Sequence, residues 1–110
     1  MPIHSISRQE FDAYKPARAP GIEMLVEEVE WFADERGVII GALARDRTDH
    51  DWSYVVLGPD ERGAFRGIEF RVNIDSLDAA RESLLTKMRE IESTGQLDFP
   101  QHDDFMPPAT

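Results

Sequence analysis

The chain has no cysteine among its 110 residues, and that absence removes a disulfide framework, a thiolate zinc site, a cysteine nucleophile and a redox role together. It also lacks a long apolar run. No stretch approaches the ~18 residues that span a bilayer as a helix, and Met1-Pro2-Ile3-His4 has neither the basic start nor the apolar core of a signal peptide. The expectation is a soluble, untargeted, cytoplasmic protein. Basic residues are scarce: 12 Lys plus Arg stand against 22 Asp plus Glu, a net charge of −10. Such a field repels nucleic-acid phosphates and anionic membranes and favours a protein partner with a basic surface. No glycine-rich phosphate loop, nucleophile elbow or spaced ligand set occurs, so no cofactor is expected and no catalytic residue is assigned.

What the chain does have is a tetrapeptide that occurs twice, Asp34-Glu35-Arg36-Gly37 and Asp60-Glu61-Arg62-Gly63, each between apolar runs and each followed four residues later by another glycine, Gly41 or Gly67. A type I turn closed by a left-handed glycine joins two antiparallel strands with this chemistry, so each copy reads as a hairpin. Two hairpins imply a four-stranded meander. Its strands are expected from Val26 or Val29 to Asp34, over Val38–Arg45, over Trp52–Leu57, and around Ile68, Phe70, Val72 and Ile74. In the last of these, Glu69, Arg71 and Asn73 alternate with the apolar positions, which predicts one buried sheet face and one wet face.

After that strand, Asp75 or Ser76 caps a helix whose apolar positions Leu77, Ala80, Leu84, Met88 and Ile91, with Leu85 alongside, recur at helical spacing until Gly95 stops it. A helix laid across one face of an antiparallel meander is an α+β domain. Around this body, expected over residues 22–95, lie an N-terminal arm (1–21) and an acidic, proline-containing tail (96–110). In the arm, Ser7-Arg8-Gln9-Glu10 is a capping box that starts a short helix ended by Pro16. Ile22, Leu25, Val26, Val29 and Phe32 match helical spacing while Val29, Trp31 and Ala33 alternate with Glu28, Glu30 and Phe32, so residues 22–28 read as either helix or strand; one reading places a helical turn over Ile22–Leu25 ahead of the first strand of the meander. The tail is expected to be extended.

Candidate sites are few. The segment Arg45-Asp46-Arg47-Thr48-Asp49-His50-Asp51 gathers three carboxylates and an imidazole, so Asp46, Asp49, His50 and Asp51 are candidate metal ligands. Their spacing matches neither a calcium loop nor a transition-metal set, and Asp and Thr serve equally well as turn formers, so the expectation is a solvated connection without metal. Ser53, His50 and Asp51 are neighbours in sequence, which is not the spatial convergence a triad requires. For a partner, strand parity points to a wet sheet face carrying Glu28, Glu30, Glu69 and Arg71 around Phe65, and to Phe99 and Phe105 in the acidic tail.

The stretch from Glu30-Trp31-Phe32-Ala33-Asp34 through Asp49-His50-Asp51-Trp52-Ser53-Tyr54-Val55-Val56-Leu57 to Asp60-Glu61-Arg62-Gly63-Ala64-Phe65-Arg66 resembles a family of small bacterial proteins carrying a domain of unknown function. The resemblance covers roughly residues 29–92, implies a bacterial source and transfers no functional residue. A meander followed by a helix beginning Asp75-Ser76-Leu77-Asp78-Ala79-Ala80 is also similar in architecture to the arm-type and AP2-like DNA-binding domains of integrases. Those domains read DNA with a basic sheet face, whereas here the corresponding face is expected to carry Glu28, Glu30 and Glu69 beside Arg66 and Arg71. Four functions follow as expectations. The first is a non-enzymatic protein-binding or regulatory module using an acidic sheet face or the acidic–aromatic tail. The others are a nucleic-acid mimic that inhibits a nuclease or defence complex, a small metal-dependent enzyme, and an integrase-like DNA-binding domain.

Overall fold

Both Asp-Glu-Arg-Gly copies are hairpin turns in the computed structural model, which describes residues 3–18, 20–97 and 99. Gly37 and Gly63 take φ of 69° and 83°, and their N–H groups donate to the carbonyls of Asp34 (3.1 Å) and Asp60 (2.9 Å). The aspartates brace the turns with their side chains as well. Asp34 Oδ1 accepts the N–H of Val38 at 2.6 Å and of Ile39 at 3.2 Å, and Asp60 Oδ1 those of Arg62 at 2.8 Å and Ala64 at 3.0 Å. The repeated tetrapeptide is thus a repeated side-chain-to-backbone clamp.

The sheet has five antiparallel strands in sequential order: β1 (Ile3–Ile6), β2 (Val26–Asp34), β3 (Ile40–Asp46), β4 (Trp52–Pro59) and β5 (Phe65–Ile74). The expected four-stranded meander is present as β2 to β5. The extra strand, β1, lies in the expected arm and pairs with residues 31–34 of β2. Four residues carry too short an alternation to be read as a strand. Helix α1 (Arg8–Ala13) follows, with both halves of the Ser7/Glu10 capping box formed at 3.0 Å. The helical turn expected before β2 is α2 (Ile22–Leu25).

Helix α3 (Leu77–Thr94) is capped by Ser76, whose hydroxyl accepts the Ala79 N–H, and ends at Gly95 with φ 71°. It buries Ala80, Leu84, Met88 and Ile91 against Phe32, Leu43, Tyr54, Val56 and Ile68 of the sheet. Gly41 lets it come close, and Gly58 makes room for Ile68 of β5. An added Cβ at Gly41 would lie 2.7 Å from Leu84 Cδ1 and 3.1 Å from Met88 Sδ, and one at Gly58 would lie 2.9 Å from Ile68 Cδ1.

The second face of the sheet is not simply wet. Phe11 of α1, 1% exposed, plugs into a smaller cluster of Ala33, Ile40, Ala42 and Leu57, flanked by Trp31, Tyr14, Val55 and Phe65. Arg18 then lies over the Phe11 ring at 5.1 Å and binds Asp12 at 2.8 Å and Glu28 at 3.1 Å. The N-terminal arm is therefore a strap that crosses from the β1 edge to Phe65, whose carbonyl accepts the Ala17 N–H at 2.9 Å.

Strand parity along β5 departs from expectation. Ile68 is 7% exposed, whereas Phe70 is 40% and Val72 49% exposed. The cause is two register irregularities against β4: Val56 pairs with Glu69 but Leu57 with Gly67, and Trp52 pairs with Ile74 but Tyr54 with Arg71. Each inserts an extra residue in β5, and Asn73 takes φ 60° at the second. An extra residue flips every side chain beyond it. Ile68 and Ile74 accordingly face α3, while Phe70 and Val72, between the irregularities, face away.

Gly41→Ala should destabilise the protein by about 1–3 kcal/mol, because helix and sheet must separate or Leu84 and Met88 must leave their rotamers. In the same denaturant-melt series Leu84→Ala should cost about 2–5 kcal/mol, as a fully buried side chain leaves a cavity. Phe70→Ala should cost about 1–2 kcal/mol, since much of its surface already meets water. A Phe70→Ala cost equal to that of Leu84→Ala would contradict the face assignment.

Candidate functional site

The loop of candidate metal ligands is a backbone device. Asp46 Oδ1 accepts the N–H groups of Asp49 at 2.7 Å and Thr48 at 2.8 Å, and the Asp46 carbonyl accepts the His50 N–H at 3.1 Å. These backbone donors, Asp49 first and Thr48 second, hold the Asp46 carboxyl below the ordinary carboxylate value. His50 is exposed and takes φ 63°. Among the described residues no three His, Asp or Glu side chains stand where they could hold a metal ion together. Ser53 is 3% exposed, and its hydroxyl points to the Ala44 carbonyl at 3.5 Å.

The candidate partner residues do not share a face. A register irregularity between Glu28 and Glu30 turns Glu28 toward the strap, where it binds Arg18 and accepts the Trp31 Nε1–H at 3.2 Å. Glu30 turns toward α3 and takes both arms of the Arg81 guanidinium, at 2.9 and 2.5 Å. Glu69 also lies on the α3 side, accepting the Tyr54 hydroxyl with Lys87 Nζ 3.9 Å away. Phe65 meets Tyr14 edge to face at 5.1 Å beneath the strap. Phe99 is half-buried against the main core, and Phe105 lies outside the described residues. The structure thus joins Glu69 with Arg71, and separates both from Glu28 and Phe65.

Glu69 and Arg71 line an open cleft of about 450 Å³ between β5 and α3, with Ser83, Thr86, Lys87 and Tyr54. Burial raises the Tyr54 pKa, and its bond to the Glu69 carboxylate raises it further, so the phenol stays protonated and acts as a donor. It ties the helix-facing side of β5 to β4. A second cleft, of about 430 Å³, lies at the opposite end of α3, where Arg36, Val38 and Ile39 of the first hairpin meet Arg89, Ile91 and Leu97.

What sequence reasoning missed at α2 is the exposure of its apolar side chains. Met24 and Leu25 are 78% and 59% exposed, the most exposed of the large apolar side chains described. They stand between Glu23 and Glu27, both exposed and neither in an ion pair among the described residues. A helix of four residues does not hold itself, and here the 46–51 loop holds it. The Arg47 N–H donates to the Leu25 carbonyl at 2.9 Å, and Arg47 Nε donates to the Glu23 carbonyl at 3.0 Å. Leu25 was hidden in the sequence because Ile22, Leu25, Val26, Val29 and Phe32 share helical spacing, which suggests a common buried stripe. Only the switch to β geometry at Val26, after Gly21 at φ 75°, turns Leu25 outward.

Against protein-family models, curated proteins and solved structures, the chain gives no match. Its site is therefore argued from its own geometry.

The Asp46 clamp and its counterpart Asp60, lowered mainly by the Arg62 N–H, set a sign for the pH dependence of stability. Both carboxyls have folded-state pKa values below their unfolded ones. Their contribution is in place above about pH 4 and is lost as pH falls through the lower folded values. Stepped-pH urea melts should show a shallower acid loss of stability for Asp46→Asn, Asp60→Asn than for wild type. Identical acid slopes would refute the clamp.

Proposed function

We propose that the protein is a non-enzymatic binding module whose contact point is α2, presented to a protein with an apolar pocket and a basic rim. The observation that carries this reading is the pairing of Met24 and Leu25, exposed side by side on a helical turn fastened from beneath by Arg47. Isolated exposed apolar residues are ordinary surface. Two adjacent ones, held rigidly between unpaired glutamates in a chain of charge −10, present area with little ordering cost on binding. Burying both supplies about 3–6 kcal/mol before the cost of association, so the surrounding glutamates must contribute through a basic rim.

Nucleic-acid mimicry draws less support. Glu28, Glu30 and Glu69 each engage a group of their own chain and lie on both sides of the sheet, so they offer no single array spaced like phosphates. The integrase analogy needs a basic sheet face, and α3 and the strap occupy the two faces.

The resemblance to small bacterial proteins makes a bacterial lysate the source for the test. Affinity capture with salt-graded elution should retain a partner that Met24→Ser, Leu25→Ser loses while the variant melts like wild type. An unchanged captured set would refute the role of α2. Tight, salt-sensitive binding of duplex DNA by the isolated protein would refute the whole reading.

A further inference from the structure

Strand β5 is the outermost strand of the sheet on its side and the longest, with 10 residues. A long edge strand is a template for another strand. Its charge sets it apart, because Arg66 and Arg71 stand against Glu69 alone, which makes β5 the one strand of the five whose acids and bases sum to a positive charge. The chain as a whole carries −10. On the side away from α3, β5 exposes Phe70 and Val72. On the side toward α3, Arg71 borders the 450 Å³ cleft.

The chain beyond α3 leads to this edge. After Gly95, Leu97 and Phe99 pack against the main cluster, and a Cβ added at Gly58 would lie 2.9 Å from Ile68 Cδ1 and 3.4 Å from Leu97 Cδ2. Gly58 pairs with Arg66, near the start of β5. The C-terminal segment is thus delivered to the end of the sheet where β5 begins, and α3 is the kind of crossover connection that a parallel neighbour requires. Residues 100–110 follow Phe99. Between Pro100 and Pro107 they include a proline-free run, residues 101–106, which extended spans about 20 Å, as does β5 from Ile68 to Ile74.

We propose that residues 101–106 add to the edge of β5 as a parallel strand. Their composition suits both sides of that edge. Neighbours in a strand point to opposite sides, so Asp103 and Phe105 share one face while Asp104 and Met106 share the other. With either parity an apolar side chain reaches the side of Phe70 and Val72, and an aspartate reaches the side of Arg71. Asp98, Asp103 and Asp104 stand in a tail without Lys or Arg, so its charge favours the one positive strand over the acidic remainder of the surface. Pro100 and Pro107 fall outside the run, where a missing N–H costs no ladder bond. The added strand covers the edge of β5 against pairing with another chain. This contact is independent of the reading of α2.

Amide hydrogen exchange of the dilute full chain, read by NMR, tests it. In wild type, amides within residues 101–106 should exchange at least about tenfold more slowly than in an unfolded chain, with nuclear Overhauser contacts from Phe105 or Met106 to Phe70 or Val72. Phe105→Ser, Met106→Ser should abolish that protection. Arg71→Glu should lower it about tenfold or more at low salt, where the charge contact is least screened. Adding Asp103→Arg, Asp104→Arg to Arg71→Glu should restore it, which a merely structural effect of Arg71 would not allow. Arg71 is exposed, and circular dichroism melts verify that every variant folds. Tail amides that exchange at unfolded-chain rates in wild type, or protection that none of the substitutions moves, overturn the proposal. A concentration-dependent dimer that protects β5 while the tail exchanges freely overturns it in favour of a second copy at the edge.

Discussion

The approach of α3 to the middle of the sheet depends on a missing atom. With hydrogen in place of a side chain at Gly41, Leu84 and Met88 rest directly on the backbone of β3, and Leu43, Tyr54 and Val56 close around them. Any Cβ there would hold the helix off at its centre. The consequences reach both ends of α3, because a helix seated this closely brings Arg81 to Glu30 near its start and Ile91 to Ile39 near its finish. Glycine at this position costs backbone entropy in a strand, a cost offset by the burial it permits.

The other face sets small side chains, Ala33, Ala42, Ala44 and Ser53, beside Ile40 and Leu57. Such a floor cannot bury much by itself, and the strap supplies the missing bulk as Phe11. The polar groups around Phe11 serve the same end. Arg18 binds two carboxylates and covers the ring, so a cation carries the strap back across an apolar spot with its charge compensated. The charge of −10 is therefore unevenly placed: Glu28, Glu30 and Glu69 pair with groups on the packed faces, Asp34, Asp46 and Asp60 brace the turns at the strand ends, and Glu23 and Glu27 are left toward solvent.

Much of this was legible in the sequence. The two turns, the capping box of α1, the helical turn before β2, and α3 with its cap, stripe and glycine stop are local signals, and local signals survive into the structure when packing agrees with them. What was not legible is where alternation breaks. A register irregularity is set by how two strands fit each other, so no window of β5 alone marks the change that turns Phe70 and Val72 away from α3. The same holds between Glu28 and Glu30: two glutamates two apart should share a face, and one extra residue at Val29 sends them to opposite sides. The candidate surface built on shared parity was lost there and at the extra residue between Gly67 and Glu69, which parts Phe65 from Glu69 and Arg71.

Those irregularities also explain why the contact proposed at α2 lies at an end of the sheet rather than on a face. α3 covers one face and the strap part of the other, and apart from Phe70 and Val72 in β5 the exposed large apolar side chains described, Met24, Leu25 and Val38, are found where strands begin and turn. The 46–51 loop illustrates the economy of this arrangement: Asp46 folds the loop by binding its amides, the fold aims Arg47, and Arg47 satisfies the carbonyls at the end of α2. The same acidic, histidine-bearing segment fixes the four residues of α2 in space. Binding through a turn so fixed requires little reorganisation, which is the condition under which two exposed apolar side chains become an effective contact.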